Sequence, residues 1–150
     1  LNYGLDKILY EEVLYNKKPF LGICLGMQLI TNLTHENGLW EGMGWVDAEV
    51  HKLNESSEYK LPQFGWNSVD IIFDHTLLNN IPPKTAFYFA NSYHVKVKDE
   101  SIIMLTTTYG EKFVSSFVKG NIFCTQFHPE KSQEHGLQLL DNFLNWTPEC

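Results

Sequence analysis

Two short stretches of this chain hold the residue types that nucleophilic catalysis needs. In Lys18-Pro19-Phe20-Leu21-Gly22-Ile23-Cys24-Leu25-Gly26-Met27-Gln28-Leu29, an almost wholly apolar run ends at a cysteine with glycine two residues before it and two after. Residues 20–24 suit a strand buried on both faces, and Pro19 at the start leaves the ladder intact. Beyond Cys24, the apolar positions Leu25, Met27, Leu29, Ile30 and Leu33 predict a helix over 26–33. A strand that turns into a helix at a glycine-flanked residue is the geometry of a nucleophile elbow. A helix start there lowers a thiol pKa and offers N–H groups to a developing oxyanion. The same cysteine also admits a reading as a buried structural thiol. The second stretch, Phe127-His128-Pro129-Glu130, ends a predicted strand. In an extended segment His128 and Glu130 would face one way, stiffened by Pro129. A carboxylate beside an imidazole orients the ring and stabilises the imidazolium. Taken alone, the pair also reads as a surface histidine next to a surface acid. If His128 meets Cys24 across neighbouring strand ends, the two stretches make a Cys-His-Glu triad, at the sheet edge where such sites lie.

The elements that must position these groups read as one α/β domain over 1–150, with the helix–strand–helix rhythm of a sheet containing parallel strands. A helix over 6–18 carries Ile8, Leu9, Val13 and Leu14, with Asp6 as its N-cap and Pro19 beyond its end. Residues 35–44 read as a loop, 45–53 and 69–73 as strands, and 54–60 as a polar turn. Further strands are predicted at 86–90, 93–97, 102–109, 113–119 and 121–127, separated by turn residues. A helix over 134–146 closes the chain, with Leu137, Leu139, Leu140, Phe143 and Leu144 on one face. No repeat or linker interrupts this order.

Composition narrows the function classes. The 150 residues are 43% hydrophobic and 19% charged, which suits a globular domain with a real core. A net charge of -7 without a basic cluster leaves no electrostatic footprint for nucleic acid or an anionic membrane. No apolar run approaches the ~18 residues of a membrane span, and no signal peptide is visible. The 3 cysteines, Cys24, Cys124 and Cys150, are widely spaced and indicate neither a disulfide framework nor a zinc ribbon, so a reducing cytoplasm is the expected compartment. The 6 histidines show no ligand spacing and no phosphate-loop motif is present, so neither a metal nor a cofactor is expected.

With these motifs placed, the chain resembles a known family. Gly22-Ile-Cys24-Leu-Gly26-Met-Gln28 and Gln126-Phe-His128-Pro-Glu130 are similar to the two triad motifs of class I (triad-type) glutamine amidotransferases. Pro62-Gln-Phe-Gly-Trp66-Asn67, Tyr88-Phe-Ala-Asn-Ser92-Tyr93, and His128-Pro-Glu-Lys131-Ser132 with Gly136-Leu-Gln-Leu-Leu140 resemble the glutaminase subunits of imidazole glycerol phosphate synthases, of histidine biosynthesis. The resemblance spans residues 5–143. It implies a three-layer fold with a mixed central sheet, and Cys24, His128 and Glu130 as nucleophile, base and orienter. It further implies an oxyanion donor in the N–H of Leu25, with Gln28, Glu36 and groups near Ser92 and Tyr93 holding glutamine. Lys131, Trp66 and Phe64 match positions near the interface with a (β/α)8-barrel synthase (cyclase) that receives the ammonia. For Glu36 an exposed loop acid is the competing reading. For Phe64 and Trp66 it is ordinary core packing, and for Lys131 a solvated charge.

The sequence departs from the family in two respects. Histidine is usual where Gln63 stands and frequent where Asn91 stands. The family also opens with a β-α-β part ending in a Pro-Gly-x-Gly loop that completes the oxyanion site; nothing here corresponds to it, and with Leu1 in place of methionine an N-terminally truncated domain with weak activity is expected. The alternatives are a paralogous glutaminase feeding an amidino-sugar or other synthase, a catalytically impaired partner-binding subunit, and a stand-alone thiol hydrolase.

Overall fold

The computed structural model describes residues 4–148, so Cys150 lies outside the described residues. Helix α1 (Leu5–Leu9) runs directly into a π-helical stretch, Tyr10–Tyr15. Gly4, at φ 69°, is the N-cap; Asp6 instead lies inside the first turn, where its charge faces the positive end of the helix. Strand β1 (Phe20–Ile23) follows, then the elbow and a short helix α2 (Leu25–Leu29). The predicted helix over 26–33 stops early. The Thr31 hydroxyl donates back to the Gln28 carbonyl at 2.8 Å, and Leu33–Thr34 is claimed by the sheet as β2.

After β2 come β3 (Trp40–Glu41), inside the segment expected to be loop, and β4 (Ala48–Lys52). Then follow β5 (Gln63–Ser68), β6 (Asp70–Ile71), β7 (Ala86–Asn91) and β8 (Tyr93–Val97). The last elements are β9 (Ile103–Tyr109), β10 (Glu111–Lys119), β11 (Ile122–Thr125) and helix α3 (Gln133–Leu144). Strand β5 is not legible as a strand in the sequence because its alternation is masked by Gly65, at φ 129°, and by exposed aromatics.

The main sheet runs β1-β11-β10-β8-β4-β2-β3, with β9 on β10 and β6 on β9; β5 and β7 make a separate antiparallel pair. Its parallel pairs are β1–β11 and β2–β4, and the other ladders are antiparallel. The sheet is therefore mixed, as the family pattern implies. Because alternate residues leave a strand on opposite faces, β11 feeds two cores. Ile122 and Cys124 join Val13, Met27, Trp45, Val50 and Val95 on the α1–α2 side. Phe123 joins Phe87, Phe89, Phe127 and Leu139 of α3 on the other. Helices on both faces of one sheet make a three-layer α/β fold. Strand β1 ends the sheet order and is half-buried, with only Gly22 fully buried, rather than enclosed on both faces as its apolar run suggests.

Candidate active site

The elbow forms where the glycines predict it. Cys24 adopts φ 49° and ψ −103°, a conformation that is costly for a residue with a Cβ and that surrounding structure must hold. The restraints are specific. Its N–H donates to the Thr125 carbonyl at 2.7 Å, extending the β1–β11 ladder by one rung. Its own carbonyl accepts from Met27 and Gln28 N–H at 3.1 and 3.3 Å, starting α2. A Cβ on Gly22 would lie 2.8 Å from Cys124 Sγ and 3.0 Å from the Gly26 backbone, so the turn closes only around glycine. The thiol is left partly accessible, and burial pushes its pKa up. Hydrogen bonds from the Leu25 N–H and the Gln126 side chain, together with the charge of Lys131, pull it down, while the charge of Glu130 raises it.

His128 lies three residues past the end of β11, the parallel neighbour of β1. Its Nδ1 is 2.7 Å from Glu130 Oε1. The route to this contact differs from the expectation. The strand ends at Thr125 and residues Pro129–Lys131 form a 3₁₀ turn, so a tight turn, not strand alternation, brings the carboxylate to the ring. Ser132 secures that turn. Its hydroxyl donates to the His128 carbonyl at 2.6 Å and accepts from Tyr88 N–H at 2.9 Å, while His128 N–H donates to the Tyr88 carbonyl at 2.8 Å. His128 is thereby docked on β7. With Nδ1 engaged by Glu130, Nε2 is the nitrogen left for proton transfer.

Gln126 opens the second motif, where no local pattern signals a role for it. It is wholly buried, and its Nε2 lies 3.5 Å from Cys24 Sγ. Its Oε1 accepts from Gln28 Nε2 at 3.2 Å, and Gln28 Nε2 also donates to the Tyr93 carbonyl at 3.3 Å. Gln28 and Tyr93, both expected at the substrate pocket, are thus linked to the thiol through one amide. Ser92 is next in line, its carbonyl accepting from Leu53 N–H at 2.9 Å. Glu36 follows β2, half-buried, with its N–H donating to Thr34 Oγ1 at 3.2 Å. Among the described residues Sγ makes no hydrogen bond to the His128 ring; such contacts often tighten only when substrate binds.

Phe64 and Trp66 are 70% and 48% exposed, which rules out core packing for them. Both are on β5, and Trp66 meets Tyr88 of β7 edge-on at 6.1 Å. This aromatic face is continuous with the turn holding Glu130 and exposed Lys131. Gln63 and Asn91, which stand where the resemblance would put histidines, are buried and directly opposite each other across β5–β7. His35, Glu49 and His51 bring one ligand atom each within 4.8 Å of one another, although no spacing in the sequence signals it.

Comparison with known proteins agrees with this geometry. Residues 4–146 match the family model described as glutamine amidotransferase class-I. The chain is 48% identical over 141 residues to imidazole glycerol phosphate synthase subunit HisH 1 of Campylobacter jejuni (strain RM1221), covering 94% of this chain and 70% of that one. Against the HisH subunit of Pelagibacter ubique (strain HTCC1062) it is 43% identical, covering 95% and 69%. Among solved structures, a glutamine amidotransferase of Thermotoga maritima is similar with a TM-score of 0.62 and 20% identity, over 96% of this chain and 56% of that one. A further glutamine amidotransferase has a TM-score of 0.66 and 14% identity, over 95% and 69%. The chain thus spans about 70% of the length of its sequence relatives and 56–69% of these two structures. This chain belongs to the class I glutamine amidotransferase family.

Proposed function

We propose that the protein is the glutaminase subunit of an imidazole glycerol phosphate synthase, releasing ammonia from glutamine for a synthase partner in histidine biosynthesis. The observation that carries the reading is the strained Cys24 elbow on β1, beside the strand whose end presents the His128–Glu130 pair at 2.7 Å. Identities of 43% and 48% to HisH subunits favour this pathway over a paralogous one.

In this reading His128 Nε2 takes the Sγ proton as the thiolate attacks the carboxamide carbon of glutamine. The C=O electron pair moves onto oxygen, and the oxyanion meets the Leu25 N–H. As the tetrahedral species collapses, the C–N bond breaks and the nitrogen takes the proton from His128. Ammonia leaves, and a γ-glutamyl thioester remains. Water, deprotonated by His128, attacks that carbon, the C–S bond breaks, and glutamate and the thiol are restored. Glu130 holds the ring and stabilises the imidazolium throughout. Gln28 and Glu36, with backbone groups near Ser92 and Tyr93, hold the amino-acid end of the substrate.

Free ammonia is protonated and diluted in water, so a docked synthase must receive it. Phe64, Trp66 and Lys131 present that partner, a (β/α)8-barrel cyclase, with exposed aromatic area and a charge beside the catalytic turn. The raised thiol pKa and the open Sγ–His128 contact favour slow hydrolysis by the protein alone and faster hydrolysis once the synthase is engaged. The test compares glutamine with ammonium salts as nitrogen source for the assembled enzyme. Cys24→Ser is expected to reduce glutamine-dependent turnover to background while ammonium-dependent turnover persists. Undiminished glutamine use by Cys24→Ser would falsify the mechanism.

A further inference from the structure

On the opposite flank of β8 from the nucleophile's strand, β2 and β4 gather three side chains that the glutaminase reading leaves unused. Glu49 and His51 are alternate residues of β4 and so share one of its faces. His35 follows Thr34, which pairs with Val50 in the parallel β2–β4 ladder, and the His35 N–H donates to the Val50 carbonyl at 3.0 Å. Parallel register therefore sets His35 beside two residues that are 14 and 16 positions later in the chain. The His35 and His51 rings stack at a centroid distance of 4.4 Å and an angle of 24°. Both Nε2 atoms converge on the same oxygen, Glu49 Oε2, at 3.0 and 3.2 Å.

We propose that His35, Glu49 and His51 form a binding site for a borderline divalent cation of the Zn2+ class. Two imidazole nitrogens and one carboxylate oxygen are a donor set that suits Zn2+, Co2+ or Ni2+ better than Mg2+ or Ca2+, which prefer oxygen ligands. A tetrahedral ion with bonds of ~2.0–2.2 Å holds its ligand atoms about 3.3–3.5 Å apart. The two nitrogen–oxygen separations of 3.0 and 3.2 Å need open by only a few tenths of an ångström, and the two nitrogens, within 4.8 Å of each other, turn onto the ion. All three side chains are between a third and a half exposed, so an ion can enter from water and keep water on its remaining positions. On binding, any proton on an imidazole Nε2 passes to water while the neutral ring carries its hydrogen on Nδ1, so that each Nε2 donates its lone pair to the metal in place of its hydrogen bond with Glu49. It also crosslinks the end of β2 to β4, in the turn where the Glu36 N–H meets Thr34 Oγ1. Occupancy should therefore stiffen the segment that carries Glu36.

Zn2+ alone, titrated calorimetrically into the protein, is expected to bind saturably at one ion per chain and to raise Tm by mass action. Mg2+ should do neither. His51→Gln and His35→Gln should each weaken Zn2+ binding by about tenfold or more, with unchanged circular dichroism. Co2+ in the same site should give a visible ligand-field spectrum without the strong thiolate charge-transfer band that Cys24 would produce. The proposal is overturned by absence of saturable binding, by equal affinity in both histidine variants and the parent protein, or by a thiolate band. In the first of these cases the trio is only a hydrogen-bonded carboxylate between two imidazoles.

Discussion

The two ends of the Gln126 carboxamide face different partners, and this gives the buried side chain a direction. The NH2 of Gln28 donates to Gln126 Oε1, so Gln126 must turn its own NH2 toward Cys24 Sγ. A donor aimed at sulfur favours the thiolate, against the burial that raises the thiol pKa. Alkylation of Cys24 by iodoacetamide in the unpartnered protein should therefore rise through a midpoint above the ordinary cysteine value of about 8.5. Gln126→Leu should move that midpoint higher, and Gln126→Glu higher still, because a carboxylate there opposes a second negative charge. A packing role alone would alter the rate at all pH values and leave the midpoint in place. His128→Asn should lower glutamine-dependent kcat by about 10²–10⁴-fold, the usual loss when a general base is removed. The Cys24 elbow and the His128–Glu130 contact were legible because glycine spacing and the His-Pro-Glu word are local. Gln126 and Ser132 stood in the same words, but their roles depend on Gln28 and Tyr88, which no local pattern ties to them.

Among the elements, α3 and the turn before it act as one device. Gly136 lies on α3 where an added Cβ would overlap the Pro129 carbonyl and come within 2.8 Å of Ser132 Cβ. Its N–H donates to the Ser132 carbonyl at 3.1 Å. Gly136→Ala should therefore destabilise the fold by about 1–3 kcal/mol, the cost of overpacking, read as a shift of the urea midpoint. It should also lower kcat, since the displaced turn carries Glu130. A stability loss with unchanged kcat would separate the helix from the catalytic geometry. Element boundaries were least legible where tertiary pairing overrode periodicity. Ile30 and Leu33 continue a helical apolar pattern, yet the chain leaves the helix because β4 supplies hydrogen-bond partners for Leu33–Thr34. Strand β5 exposes Phe64 and Trp66 while burying Gln63, which reverses the usual hydrophobic-in arrangement on that strand, whereas its partner β7 buries Phe87 and Phe89 beside Asn91. Phe64→Ser together with Trp66→Ala should leave unpartnered hydrolysis unchanged and abolish its stimulation by the synthase, measured as ammonia release with and without the partner.

At the scale of the whole molecule, one sheet separates two cores, and His94 is buried within it against Phe113, the ring centroids 5.8 Å apart. Burial lowers its pKa from 6.5 to about 4, against smaller upward contributions from the Glu111 charge and the Val95 backbone. The unfolded chain therefore binds a proton at this residue below about 6.5, whereas the folded chain does so only below about 4. Unfolding takes up a proton in that window, so stability falls as the pH drops through it. His94→Phe should flatten the dependence of unfolding free energy on pH between these values by close to one proton, and leave it unchanged above about pH 7. An identical slope in both proteins would show that His94 is free to protonate in the folded state. Among the described residues no helix is long and apolar enough to cross a membrane.

The sequence by itself determined the chemical groups, the elbow and the order of most elements. Glycine placement, apolar alternation and turn residues act over a few bonds and carry that information locally. Tertiary structure alone decided which groups meet. The direction of Gln126, the Ser132 bridge, the facing amides Gln63 and Asn91, and the convergence of His35, Glu49 and His51 all arise from strand pairing between distant segments. Register across a ladder is set by burial of whole faces, and no short spacing in the chain encodes it. The Cys24 stretch could be read as a nucleophile or as a packed thiol; only the parallel β1–β11 pairing puts it beside the end that carries His128.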